Sequence, residues 1–371
     1  MLIESYLANR FQMVQLHNTI LKVKTNSAWS KVNQGVPQGS VLGPLLFLLY
    51  INDLPNAVLL NATPILFADN TSIIITGQNV LRFQEKLNAI FDNISKWFQA
   101  NSLSLNVSKT HFMQCFSKNT NKYDAHVSYE NNSISKVNDT KFLGININNN
   151  LFWKTHIEEM LPKLCPACFA MKSVKPFASQ QMLKIIYSSY FHSITSYGVI
   201  FWGHSSLGIK DFRLQKRIIR IMTGSRNRDS CRKLFTSMEI LPLPSLYIFL
   251  LLRFVIKNKD LFTTNINFHN LCTRQHHNFH QPSTNLKKYQ TAVYCMAIKI
   301  FNSLPSYIKN EFTNPTKFVT LAKNFLCENS FYSLEEYFNS VRHKDYNTMS
   351  LNYNVLYLNP LDCEQRYLAN F

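Results

Sequence analysis

Two polar residues set between apolar runs are the first chemistry this chain offers. In Ile65-Leu66-Phe67-Ala68-Asp69-Asn70-Thr71-Ser72-Ile73-Ile74-Ile75, a β-favouring run enters a short polar turn and a second run leaves it. That pattern predicts a tight β-hairpin. Such a hairpin puts Asp69 at the tip of two strands, and a carboxylate fixed on β-structure suits a hard cation such as Mg²⁺. Asp and Asn are also ordinary turn residues, so the box alone fits either role. A second chemistry lies in 209–233. Lys210, Arg213, Arg217 and Arg220 recur at three- and four-residue steps and so share one helical face, with Ile209, Phe212, Ile218, Ile219 and Met222 as apolar flanks. Arg226, Arg228, Arg232 and Lys233 carry the charge into the next loop, against Asp211 and Asp229 alone. A helix charged with one sign is a surface for backbone phosphates.

The composition agrees. The 371 residues suffice for two or three domains with cores. There are 39 Lys and Arg against 21 Asp and Glu, a formal charge of +18, which points to nucleic acid or an anionic membrane as partner. The apolar runs 44–51 and 246–256 are too short to span a bilayer, and the second carries Arg253. That leaves nucleic acid and no membrane. Eight scattered cysteines, with Glu4 directly after Met1-Leu2-Ile3, read as reduced thiols of an intracellular protein, cytoplasmic or nuclear and not secreted. Cys165-Pro166-Ala167-Cys168 has no second pair at zinc spacing. Cys272, His276, His277 and His280 are interleaved with Gln275, Asn278 and Gln281, which leaves a polar loop and a metal site both open.

The elements that must position these groups follow from periodicity. Residues 1–31 read as a short helix end followed by a strand or hairpin. In 34–55 the glycines and Pro37 make a loop, Ser40 caps a helix, and the Leu/Phe/Tyr run predicts a helix buried on most sides. Leu87, Ile90, Phe91, Ile94, Trp97 and Phe98 predict an amphipathic helix over 80–100, and 103–112 alternates like a strand. From about 155 the pattern is helical, with further helices over 245–257, 290–304 and 318–325.

Taken together, these boxes resemble the reverse transcriptases of non-long-terminal-repeat retrotransposons, of the LINE or jockey-like type. Gln34-Gly35-Val36-Pro37-Gln38-Gly39-Ser40 and the run to Pro55 resemble that family's motif B. Phe67-Ala68-Asp69-Asn70 resembles its aromatic-Ala-Asp-Asp motif C, with Asn70 in place of the second Asp. Residues 103–112 look like motif D, where Lys109 matches a lysine that assists protonation of the leaving pyrophosphate. Lys141-Phe142-Leu143-Gly144-Ile145 resembles motif E, the primer grip, and Trp153 and His156 continue the pattern into the first thumb helix. The resemblance covers roughly residues 1–340.

The resemblance implies an α+β fold. A partial polymerase palm, an antiparallel sheet with packed helices, would occupy 1–150. A basic helical thumb would follow over 151–235, then a helical C-terminal region with a polar tail over 236–371. It sets Gln38 and Gly39 against nucleotide and template base, Lys141, Phe142, Leu143 and Gly144 against the primer end, and Lys210, Arg213, Arg217, Arg220, Arg226 and Arg228 along an RNA–DNA duplex. It also implies two Mg²⁺ ions, with Asp69 as a metal ligand. Mg²⁺ gathers charged oxygens; Asn70 offers a neutral one, and no position here matches the motif A aspartate, which the family pattern puts ahead of residue 1. The expectation is a truncated reverse transcriptase domain that does not polymerise. A non-catalytic RNA- or DNA-binding module, or a piece of a longer active polymerase, fits the same residues.

Overall fold

A computed structural model of the chain describes residues 2–18, 23–32, 35–36, 39–58, 62–77, 80–115, 124–130, 132–269 and 278–340. They fall into two compact units, Met1–Asn138 and Asp139–Phe371.

The first unit opens with α1 (Leu2–Leu7), then pairs β1 (Phe11–Gln12) with β4 (Ser30–Lys31) and β2 (Gln15–Asn18) with β3 (Val23–Asn26). α2 (Leu42–Tyr50) and α3 (Leu54–Val58) lead into the hairpin β5 (Ala62–Phe67) and β6 (Asn70–Ile75). α4 (Val80–Ala100) is the organiser. Leu87 packs with Val127, Tyr129 and Ile134, while Ile90 and Ile94 pack with Val58. Apolar positions three and four residues apart put these side chains on one stripe. β7 (His111–Phe112) pairs in parallel with β10 (Ser135–Lys136), and β8 (Ser128–Tyr129) antiparallel with β9 (Asn132–Ser133).

Three expectations change here. α2 is not buried on most sides: Val41 just before it is 93% exposed, and Leu45, Leu48, Leu49 and Tyr50 are exposed too. The two small cores of this unit are built on α4, and none of these α2 side chains belongs to either among the described residues. Residues 103–107 alternate in burial as a strand would, yet Val107–Lys109 is a 3₁₀ turn and pairing begins only at His111. Asn106 is the cause, since its Oδ1 accepts from Lys109 N at 3.2 Å and from Ser108 Oγ at 2.7 Å, an Asx-type closure that competes with a ladder. The strands also pair only two by two among the described residues, and not as one sheet. Runs of two to six residues offer little edge for a third partner.

The second unit starts with the hairpin β11 (Asp139–Phe142) and β12 (Ile145–Asn148). Then come α5 (Lys154–Val174), α6 (Gln180–Ile186), a π-helical stretch Tyr187–His192, α7 (Ser193–Ser196), α8 (Val199–Trp202), α9 (Ile209–Thr223), α10 (Arg232–Met238) and α11 (Leu243–Lys257). α12 (Asn265–His269), α13 (Lys287–Gln290), α14 (Val293–Asn302), α15 (Ser306–Lys309) and α16 (Pro315–Asn329) complete it, with a last helical stretch over 334–340. One apolar core runs from Ile157 to Tyr337 and contains Trp202, Tyr247, Phe191, Phe235 and Phe318 fully buried. Each such side chain contributes about 1.5–3 kcal/mol. This core is continuous through α9 and the C-terminal helices. No single described helix is long and apolar enough to cross a membrane; α11, the most apolar of the longer ones, lies in this core.

Candidate nucleic-acid interface

The hairpin around Asp69 forms with Phe67 opposite Asn70, which leaves Ala68 and Asp69 as a two-residue loop. Ala68 has φ +51, a left-handed conformation that costs an alanine roughly 1–2 kcal/mol. Asp69 and Asn70 are both exposed, and Asn70 Nδ2 donates a long hydrogen bond, 3.5 Å, to Asp69 Oδ1. A divalent cation needs several charged oxygens. Among the described residues no three His, Cys, Asp or Glu side chains come together, and the neighbour of Asp69 is an amide. These residues do not fit an Mg²⁺ site.

Of the loop ahead of α2, Gln38 lies outside the described residues. Gly39 is exposed, and the space where a Cβ would sit is empty to 4 Å. Ser40 does close the start of the helix: its Oγ accepts from Gly43 N at 3.1 Å. Lys109 is exposed at the end of the Asn106 turn.

In the second unit, Leu143 and Gly144 form the tight turn between β11 and β12, with φ +45 and +83. Positive φ at both central residues is the hairpin geometry whose twist matches paired strands. Lys141, Leu143 and Gly144 are exposed and Phe142 is half-buried. This hairpin does not stand free. The Tyr197 hydroxyl donates to Leu143 O, and Asn146 N donates to His156 Nδ1 at 3.4 Å. Burial pushes the His156 imidazole below its ordinary range, with Lys163 acting in the same direction and Glu159 against it. Burial thus favours its neutral form, in which Nδ1 accepts from Asn146 N. Tyr197 escaped the sequence reading because nothing local ties it to a turn 54 residues away.

The predicted basic helix is α9. Phe212, Gln215, Ile218, Ile219 and Met222 are buried on one side, while Lys210, Arg213 and Arg217 are exposed on the other. Among the described residues no ion pair holds these three. Arg220 differs: its Nε and Nη2 donate to Asp229 O at 3.0 and 2.9 Å. Asp229 Oδ2 in turn accepts from Arg226 N at 2.8 Å, which shapes the loop bearing the exposed Arg226 and Arg228. Lys216 Nζ lies 4.7 Å from the Phe212 ring centre and 5.5 Å from that of Tyr332. Arg232 lies 4.5 Å over Tyr332 and pairs with Glu336. Lys210, Arg213, Arg217, Arg226, Arg228 and Lys233 thus stay exposed, while Arg220 holds the Asp229 loop and Arg232 fastens the C-terminal segment.

The other thiols and imidazoles form no metal-binding cluster among the described residues. Cys165 is exposed and Cys168 is buried on α5, with the Cys168 thiol pushed up to about 11 by burial. Cys272, His276 and His277 lie outside the described residues, and His280 stacks on Phe268 with ring centres 3.6 Å apart.

The chain is similar to known proteins over part of its length. Residues 2–147 match the family model for reverse transcriptase (RNA-dependent DNA polymerase). The probable RNA-directed DNA polymerase from transposon X-element of Drosophila melanogaster is 27% identical over 233 residues, 60% of this chain and 25% of that protein. The corresponding protein of transposon BS, from the same organism, is 25% identical over 211 residues, 54% of this chain and 22% of its own length. The RNA-directed DNA polymerase from mobile element jockey of Drosophila funebris is 25% identical over 138 residues, covering 35% and 14%. No solved structure gives a significant match. Residues 2–147 are thus similar to a reverse transcriptase domain, and the chain is similar over part of its length to RNA-directed DNA polymerases of Drosophila mobile elements, jockey among them. It spans about a quarter or less of the length of these curated relatives.

Proposed function

We propose that this chain holds an RNA–DNA template–primer hybrid and, as it stands, does not extend it. The observation that carries the reading is the outward face of α9, where Lys210, Arg213 and Arg217 are exposed together and no ion pair among the described residues engages them. Cations of one sign on a rigid helix bind backbone phosphates without reading bases and release counterions as they do so. Arg226 and Arg228 extend that surface. The turn Lys141–Gly144 supports the primer end in this reading. Lys109 keeps the motif D position, whose proton matters only where pyrophosphate leaves.

Extension is another matter. The relatives are named for RNA-directed DNA polymerisation, which in this family draws on divalent ions. Asp69 supplies one charged oxygen donor group and Asn70 none, and two divalent ions repel each other unless several carboxylates gather them.

Fluorescence anisotropy of a labelled RNA–DNA hybrid, titrated with salt, tests the binding. Affinity is expected to fall linearly on a log–log plot. The slope should shrink by roughly 0.9 for each phosphate left without its cation in Lys210→Ala, Arg213→Ala or Arg217→Ala. A slope indifferent to all three substitutions overturns the reading. Primer extension by the purified chain in Mg²⁺ or Mn²⁺ is expected to give no product, and a product overturns the second half.

A further inference from the structure

The hairpin Asp139–Asn148 has only four residues in each strand, and nothing among the described residues extends it into a larger sheet. Such a hairpin is marginal alone. Its shape is imposed from the helical segments, at three points. At the turn, Tyr197 donates its hydroxyl to Leu143 O, and its ring lies so close that a Cβ on Gly144 would meet Tyr197 Cε1 at 3.3 Å. One residue on, Gly198 has φ +62, and a Cβ there would stand 2.5 Å from Ile145 Cδ1. At Asn146 the buried backbone N–H donates to His156 Nδ1 on α5. Leu143 is held in a left-handed conformation that an unrestrained leucine leaves. Lys141, Leu143 and Gly144 remain exposed beside these contacts.

We propose that Tyr197 is a positioning residue: through Leu143 O it fixes the turn Leu143–Gly144 as a preformed seat for the end of a nucleic-acid strand. The proposal rests on the reading above, that this turn supports the primer end. Its physical content is preorganisation. A seat already fixed loses less conformational freedom when a strand end arrives, so the hydroxyl adds affinity only for ligands that have an end to seat. His156 and Gly198 share the work from behind the strand, and neither needs to touch the ligand. The phosphate face of α9 is separate in kind, since it is blind to strand ends.

The test uses the full chain and two hybrids of equal length, one with a recessed DNA 3′ end and one closed by loops at both ends. Tyr197→Phe keeps the ring and removes the donor. Binding of the recessed hybrid is expected to weaken about 2- to 10-fold, the value of one hydrogen bond, with the closed hybrid and the salt slope unchanged. Amide exchange at Gly144 and Ile145 is expected to quicken in the variant, which shows that the turn has loosened in a folded protein. A purely structural role would lower both affinities together, and that outcome overturns the proposal. So does a wild type that binds the two hybrids equally, although salt-dependent binding through α9 would then still stand. A wild type that binds neither hybrid overturns both readings.

Discussion

Gln215 Oε1 accepts the Leu243 backbone N–H at 2.8 Å inside the core of the second unit. The same amide donates through Nε2 to Tyr187 Oη and to Leu241 O, both at 2.9 Å. Both of its N–H groups and its oxygen are therefore used, and one side chain ties α9 to the π-helical stretch and to the entry of α11. Gln215 lies on the side of α9 opposite the exposed cations, so it sets which way they point.

Gln215→Leu is expected to destabilise this unit by about 3–5 kcal/mol, because it leaves a backbone N–H, a carbonyl and a phenol unpaired in an apolar core. Urea denaturation followed by circular dichroism checks it. A loss under 1 kcal/mol would mean that water replaces the amide.

Asp211 gives a pH dependence. It is fully buried in the first turn of α9, with both carboxylate oxygens unpartnered. Burial raises its pKa to about 7, with Lys210 acting in the opposite direction. The folded chain thus keeps a proton that the unfolded chain releases near pH 4. The stability this group contributes is fully present below that unfolded value, falls as pH rises, and is lost by about pH 7. Asp211→Asn is expected to flatten that fall and to stabilise the protein by about 2–4 kcal/mol above pH 7. Melting temperatures of both proteins between pH 4 and pH 8 decide it.

Arg220 is expected to part company with its helical neighbours. Its guanidinium serves the Asp229 carbonyl. Arg220→Ala should leave the salt slope of nucleic-acid binding within about 0.3 of wild type while costing about 1 kcal/mol of stability. A slope change equal to that of Arg213→Ala would show that Arg220 reaches phosphate as well.

Gly203 is a steric prediction. A Cβ there would stand 2.5 Å from Tyr247 Cδ2 and 2.7 Å from Val199 O. The oxygen is backbone and cannot swing aside. Gly203→Ala is expected to cost about 1–3 kcal/mol, read by the same denaturation experiment, in line with the cost of overpacking a tightly filled site.

At the Asp69 hairpin, Mn²⁺ broadening of the Asp69 and Asn70 amide signals is expected only at roughly millimolar ion, the weak end of carboxylate sites. Asn70→Asp should tighten this severalfold, since it adds a charge. Sub-micromolar binding by the wild type would reveal donors that the described residues do not contain.

Local signals in the sequence were enough for much of the fold. The hairpin at Asp69 followed from two apolar runs around a polar pair, α4 from apolar spacing, and the outward cations of α9 from steps of three and four. These are properties of a few neighbouring residues, which is why they could be read. Strand character over 103–112 was kept in pairing only at His111–Phe112, because a single side chain, Asn106, closed its own turn. The buried α2 failed because apolar sequence states a preference for burial and says nothing about whether a partner face exists.

The chain itself thus determined which family's motifs it carries, where its hairpin tips fall, and that its charge is strongly positive. Which of those charges remain available was decided only by tertiary structure. Lys216 and Arg232 look in sequence like Arg213 and Arg217, yet they are covered or paired by Tyr332 and Glu336, 100 or more residues further on. The anchoring of Leu143 by Tyr197 arises in the same way. Contacts between distant segments depend on how the whole core packs, and no local pattern encodes them.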